Sequence, residues 1–216
     1  MKCRKAIFYF ILLAMMRNSS DAGIIASFTS DGSAFMPSAI NVGQFVDVPL
    51  YLVQTNPNTE LTTGLLTAGI GVNFAPTGVV NASFLSYGPG WDIGLSASSI
   101  DNPGGFASLQ TSVGFFDPGV TDGGTNSILL GTFRFTGVSA GSSMFTLTDA
   151  DPGLDDTVLD DGMGTVLDST ILFGGTSSIT VNGAAAVPEP SAGLALMIGT
   201  GIMVWRTRKR RQRDGP

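Results

Sequence analysis

The stretch DADPGLDDTVLDDGMG, residues 149–164, places Asp149, Asp151, Asp155, Asp156, Asp160 and Asp161 close together in the chain. Hard cations are held by several convergent oxygens, and carboxylates at this density are relieved by a divalent ion. Asp149, Asp151 and Asp155 occupy the first, third and seventh places of a calcium loop, and Asp160 the twelfth, where a bidentate carboxylate closes such a loop. Gly153 stands at the fifth place, where a ligand would help, and Leu154 at the sixth, where a turn glycine is usual. These four aspartates are the candidate calcium ligands. The alternative is a solvated acidic loop.

Other chemistry is bounded by what the chain contains. There is no histidine, and Cys3 is the one cysteine. Ser-His-Asp and Cys-His arrangements are excluded, as are zinc sites built on histidine. Paired carboxylates remain, and they are the machinery of glycoside hydrolysis. Most of the acidic residues, however, sit beside Gly or Pro, where Asp ordinarily bonds its own turn. No catalytic residues are assigned, and the expectation is a non-enzymatic protein. An extracellular carbohydrate-active enzyme working through carboxylates is the alternative. Trp91 offers either a face for stacking on a sugar or a large side chain for the core.

The charges are partitioned along the chain. Lys2, Arg4, Lys5 and Arg17 precede Gly23, and Arg206, Arg208, Lys209, Arg210, Arg211 and Arg213 follow Pro190. Between them Arg134 faces fourteen Asp and Glu, so residues 23–187 carry a net charge near −13 although the whole chain carries −6. Phosphate recognition needs basic residues on the folded body, so nucleic acid is not an expected partner.

Both ends read as targeting segments. Residues 1–22 have the form of a signal peptide: a basic start, the apolar run Ala6–Met16, and Ser20-Asp21-Ala22 ahead of a cut before Gly23. An uncleaved anchor is the alternative. Cleavage would remove Cys3 and leave an exported domain without thiols, stabilised by its core alone. At the other end, Pro188 and Pro190 interrupt regular structure, and Ala192–Trp205 is a run of apolar, small and Thr residues. As a helix this run covers about 22 Å, against about 30 Å of hydrocarbon. A single short transmembrane helix is expected, spanning with snorkelling or local thinning. The basic stop Arg206, Arg208, Lys209, Arg210, Arg211 and Arg213 would stay cytoplasmic, leaving the acidic domain outside.

Pro-Glu-Pro, apolar helix and Arg-rich end, in that order and with Val187, Pro188, Glu189 and Pro190 as the short motif, resemble the bacterial PEP-CTERM sorting signal over residues 184–213. The resemblance implies an intermediate held in the inner membrane and cut by an exosortase, a membrane-embedded transpeptidase-like processing enzyme. Its destination is then the cell surface or extracellular matrix, in association with exopolysaccharide or biofilm. Gly183-Ala184-Ala185-Ala186 would supply the spacer before the cut.

Something must position the acidic stretch, and the pattern before it is that of strands. Gly and Pro together make 40 of the 216 residues, and charge is sparse, which favours strands and tight turns over helices. Val46, Val48, Leu50 and Leu52 share one face, as do Ala68, Ile70, Val72 and Phe74, with Gly69, Gly71 and Asn73 opposite. Ile128–Thr136 and Ser143–Thr148 read as two strands joined through 137–141, and turn clusters such as Asn102-Pro103-Gly104-Gly105 punctuate the rest. The expected class is all-β, a two-sheet β-sandwich over residues 23–183. "INVGQFVDVPLYLV", "TAGIGVNFAPTGVVNASFL", "ILLGTFRFTGVSAGSSMFTLTD" and "SSITVNG" in succession resemble the strands of a cohesin domain. That resemblance implies a jelly-roll sandwich and, as one alternative function, docking of a dockerin-like module, which requires a flat, partly apolar sheet face. The leading expectation is an exported binding or scaffolding protein with a polysaccharide or protein ligand.

Overall fold

Apolar residues at every second position, separated by Gly-, Pro- and Asp-rich turns, can bury one face only as strands in packed sheets. The structure, a computed structural model, describes residues 23–33, 38–55, 60–173 and 175–183. The expected signal peptide, the sorting motif Val187–Pro190, the apolar run Ala192–Trp205 and the basic run Arg206–Arg213 lie outside the described residues. All described residues belong to a unit spanning Met1–Gly183. Among them no helix is long and apolar enough to cross a membrane.

The described strands are β1 (Ile24–Ser27), β2 (Ser38–Asn41), β3 (Phe45–Gln54), β4 (Leu65–Ala75), β5 (Val80–Tyr87), β6 (Ala97–Asp101), β7 (Phe106–Ser112), β8 (Ser127–Gly137), β9 (Gly141–Thr148), β10 (Val158–Leu159), β11 (Leu172–Phe173) and β12 (Thr176–Asn182). One turn of helix, α1 (Glu60–Thr63), precedes β4, and a 3-10 turn covers Asp168–Thr170. One sheet has the order β11-β1-β3-β8-β5, and the second the order β2-β12-β9-β4-β7-β6, with β10 added beside β4. Neighbours are antiparallel except β1 with β11 and β2 with β12.

The faces follow the alternation. Val48, Leu50 and Leu52 of β3 and Ala68, Ile70, Val72 and Phe74 of β4 are all buried, and burying each large apolar side chain contributes roughly 1.5–3 kcal/mol. Phe74, Phe135 and Phe145 join the sheets at the centre. Phe135 meets Phe145 edge-on at 4.5 Å between ring centroids and Phe74 at 5.6 Å, the offset geometries that aromatic quadrupoles favour.

β8 carries a correction to plain alternation. Continued from Ile128 and Leu130, a strict period of two would put Arg134 in the core. Instead Leu50 pairs with Gly131 and Tyr51 with Leu129, so Leu130 is an extra residue in the ladder. This bulge re-phases the strand: Phe133 and Phe135 turn inward, and Arg134 outward. There Arg134 donates from Nε to Asp47 Oδ1 at 2.7 Å and from Nη2 to Asp47 Oδ2 at 2.9 Å, and its Cζ lies 3.7 Å from the centroid of the Phe45 ring. The guanidinium holds the Asp47 carboxyl below its ordinary range.

Candidate functional site on the outer face of the second sheet

β9 and β10 both run antiparallel to β4, β9 beside Gly71–Ala75 and β10 beside Leu65 and Thr67. Between them residues 149–157 leave the ladder and fold over the outer face of the sheet. The outer positions of β4 make this approach possible. A Cβ on Gly69 would fall inside the Asp156 carboxylate, and one on Gly71 would lie 2.9 Å from the Asp149 carbonyl oxygen. Glycine in a strand interior marks such a close approach. Thr157 fixes the far side of the loop: it is fully buried, and its backbone N–H donates to both Asp168 oxygens at 3.2 Å.

The result is a cluster of Asp149, Asp156 and Asp168, each offering one carboxylate oxygen within 4.8 Å of the others. Two oxygens on opposite sides of one calcium ion, each at about 2.4 Å, are separated by about this distance. Basic groups are scarce, since Arg134 is bound to Asp47, and among the described residues no salt bridge reaches the cluster. Burial, then hydrogen bonding to Asp168 and the charges of Asp168 and Asp149, push Asp156 up to about 7. Asp149 is also raised, first by burial and then by the Asp168 and Asp151 charges. Gln110 Nε2 donates to Asp156 Oδ2 at 3.4 Å and opposes the rise. A set of half-buried carboxylates without a counter-ion favours either a proton on Asp156 or a cation among the three.

Of the four aspartates expected as calcium ligands, the structure brings only Asp149 into this cluster. A turn closed by Leu154 N–H on the Asp151 carbonyl at 2.9 Å leaves Asp151 and Asp155 exposed. Asp160 instead accepts the Gly119 N–H at 2.8 Å, tying the β7–β8 loop to the acidic segment. Asp161 accepts the Thr165 hydroxyl and the N–H groups of Met163 and Gly164, the last two at 2.9 and 2.8 Å, and these bonds, the hydroxyl's first, hold its carboxyl down at about 2. Asp156 and Asp168 take the remaining places in the cluster. The sequence signal for them lay in β4: two glycines on one face say that another part of the chain rests there.

Beside the cluster runs an open groove of about 360 Å³ lined by Thr67, Leu95, Gln110, Ser112, Leu154 and Asp156, among others. Its acidic lining residues, Asp155 and Asp156, are consecutive in the chain, and among the described residues the lining holds no other carboxyl. Elsewhere the carboxylates are dispersed over turns. Asp31, Asp92, Asp101, Asp122 and Asp151 each accept a backbone N–H two or three residues ahead, at 2.7–3.1 Å. Trp91 is buried, and its Nε1–H donates to the Leu129 carbonyl at 3.0 Å, so it belongs to the core and offers no free face to a sugar.

No family model matches the chain, and no curated protein matches it in sequence. Solved structures do. The third cohesin of ScaC from Acetivibrio cellulolyticus, in complex with the ScaB dockerin, matches with a TM-score of 0.51 and 15% identity over 73% of this chain and 98% of that one. The seventh ScaB type I cohesin from Pseudobacteroides cellulosolvens matches with a TM-score of 0.52 and 12% identity over 77% and 97%. The described residues therefore form a β-sandwich with the fold of cohesin modules.

Proposed function

We propose that this chain is an exported, non-enzymatic protein whose cohesin-like sandwich binds or scaffolds a protein or polysaccharide ligand at the cell surface or in the extracellular matrix. Val187, Pro188, Glu189 and Pro190 are the sorting motif read by an exosortase-type enzyme, and the segment after them is the temporary membrane hold. The observation that carries the non-enzymatic reading is the disposition of the carboxylates: many cap the domain's own turns, three converge in one cluster, and the groove's lining carries only the consecutive pair Asp155 and Asp156. The binding role is drawn from the fold, because the ScaC cohesin was solved with a dockerin bound.

Asp149, Asp156 and Asp168 fit a calcium ion by donor type and spacing. Such an ion would pin the acidic loop to β4 and supply structural charge neutralisation. Docking of a dockerin-like module is the narrower form of the binding reading. The outer face of the second sheet is exposed at Ala75, Met144 and Thr146, whereas the acidic loop covers it at Gly69 and Gly71. Glycoside hydrolysis has one observation in its favour, a groove acid that retains its proton to about pH 7. The groove's other lining carboxyl, Asp155, is the neighbour of Asp156 in the chain, so the lining shows no separate pair of the kind that either stereochemical course uses.

The test is a protease-cleavable epitope inserted ahead of Pro188 in the full-length chain, with mass spectrometry of the C-terminus in membrane and medium fractions. Export predicts cleavage of the epitope in intact spheroplasts and a mature chain in the medium ending near residue 190. A protected, cytosolic epitope would overturn the reading.

A further inference from the structure

The end of the sandwich where β4 and β8 begin presents large apolar side chains to solvent. Phe115 is 92% exposed, Phe116 102%, Met163 86% and Ile93 78%. Three separate loops carry them, and those loops are bound to one another. Asp92 N–H donates to the Ser112 carbonyl at 2.8 Å, Gly119 N–H to Asp160 Oδ2 at 2.8 Å, and Leu65 and Val120 exchange bonds at 2.9 Å. The packing between loops is close as well: Gly64 has φ +107, and a Cβ there would lie 3.1 Å from the Gly119 backbone. Phe115 and Phe116 are thus held out on a fixed frame, with a turn from Gly114 to Asp117 beneath them. Two adjacent aromatics that cover nothing of their own fold, on a preorganised support, have the form of interface anchors.

The charges around them select the occupant. Asp92, Asp117, Asp160 and Asp161 lie on the same loops, and the only basic residue between Gly23 and Val187, Arg134, is engaged by Asp47. An anionic membrane surface would be repelled, and a second copy would bring the same acidic rim. Gly183 lies beside Ala140 at the opposite end of the sandwich, and the eleven residues of β8 separate the two ends by about 35 Å.

We infer that the Phe115–Phe116 end of the sandwich docks a partner protein through an apolar pocket rimmed by lysine or arginine. The inference rests on the reading of the chain as an exported binding protein and names the surface that binds.

Photocrosslinking tests it on the full-length chain in the cells that make it. Phe116 is replaced by benzoylphenylalanine, with Val42, at the Gly183 end, replaced as the control. The expected result is crosslinking from position 116 to a protein, at apolar residues flanked by Lys or Arg, with none from position 42. Yield should fall several-fold in 0.5 M NaCl, since about 3–5 Å of Debye length then screens the rim. Phe115→Ser should weaken the purified pair about 30-fold, the loss typical of a central aromatic anchor. Crosslinks to lipid, to a second copy or to protein sites without basic residues, or no crosslink, would overturn the proposed surface. Crosslinks of the expected chemistry confined to cytosolic proteins would support the surface and overturn export.

Discussion

Asp156→Asn isolates the electrostatics of the acidic loop. In the folded chain, burial against β4 and then the Asp168 and Asp149 carboxyls raise Asp156 from 3.8 to about 7. A carboxyl that keeps its proton longer when folded makes the folded state the better proton binder between those values, so stability falls as pH rises through that window. Its contribution is complete below about pH 4 and lost by about pH 7. About three pH units correspond to about 4 kcal/mol, and because the side chain is half exposed to screening water, about 2 kcal/mol is the expected effect. The asparagine variant has no charge to bury. It should match wild type near pH 4 and be about 2 kcal/mol more stable at pH 8, a shift of about 4–8 °C for a domain of this size. Asp149 is raised too and adds to the same slope, whereas Asp47 and Asp161 are lowered and lose their stabilising effect only below about pH 4. Thermal unfolding of the full-length chain in mild detergent, followed by circular dichroism from pH 4 to 8.5 with EDTA, is the assay. Millimolar calcium should then raise the wild-type midpoint at pH 8 and leave the variant nearly unmoved. If wild type gains stability between pH 5 and 8 in EDTA, or Asp156→Asn is the weaker protein at pH 8, the account of the loop is wrong; an absent calcium shift removes the metal reading.

Gly69→Ala should lift the loop, because the new methyl falls inside the Asp156 carboxylate. A loss of about 1–3 kcal/mol is expected, measured by urea unfolding, together with loss of the pH slope assigned to Asp156. Phe135→Ala removes the ring that contacts both Phe74 and Phe145, and should cost about 3–5 kcal/mol in the same assay, a large share of a typical domain's stability. Arg134→Ala breaks an exposed pair and a ring contact, so its effect should be small and largely abolished in 0.5 M NaCl, in contrast to Phe135→Ala, which salt should not rescue.

The strands that bury one face were legible because alternation is visible wherever one side faces a core. β3, β8 and β9 lie within a residue or two of the stretches that alternate, and β4 starts three residues before its own. β6 was not legible, since Ala97–Asp101 is exposed throughout and an edge strand of small residues has no pattern to read. The two-residue strands β10 and β11 are too short for any period. For the acidic cluster, the sequence marked the stretch that carries Asp149 and Asp156, while its spacing pointed to Asp151, Asp155 and Asp160 rather than to Asp156 and Asp168. Spacing rules assume that the loop itself shapes the ligand sphere, whereas here the sheet does: Gly69 and Gly71 seat Asp156 and the Asp149 backbone, and Asp168 arrives from beyond the stretch. Trp91 was ambiguous for a similar reason, because its partner, the Leu129 carbonyl, is remote in sequence.

A domain with fourteen acidic residues and one arginine must keep its negative charges apart or neutralise them. Over most of its surface it keeps them apart. Asp31, Asp92, Asp101 and Asp122 each cap a local turn, where backbone N–H groups supply partial positive charge and water does the rest. This makes aspartate serve as the turn residue of a sandwich without lysine. Asp149, Asp156 and Asp168 break that rule. They converge on a sheet face, at a distance that water alone screens poorly, on glycines that exist to admit them. Neither the turns nor the core requires the convergence: Asp156→Asn would keep the loop's shape and remove its cost. A charge arrangement that stabilises nothing by itself at neutral pH leaves two ways of relief, a proton on Asp156 or a cation among the three carboxylates, and the calcium dependence of the unfolding midpoint at pH 8 separates them.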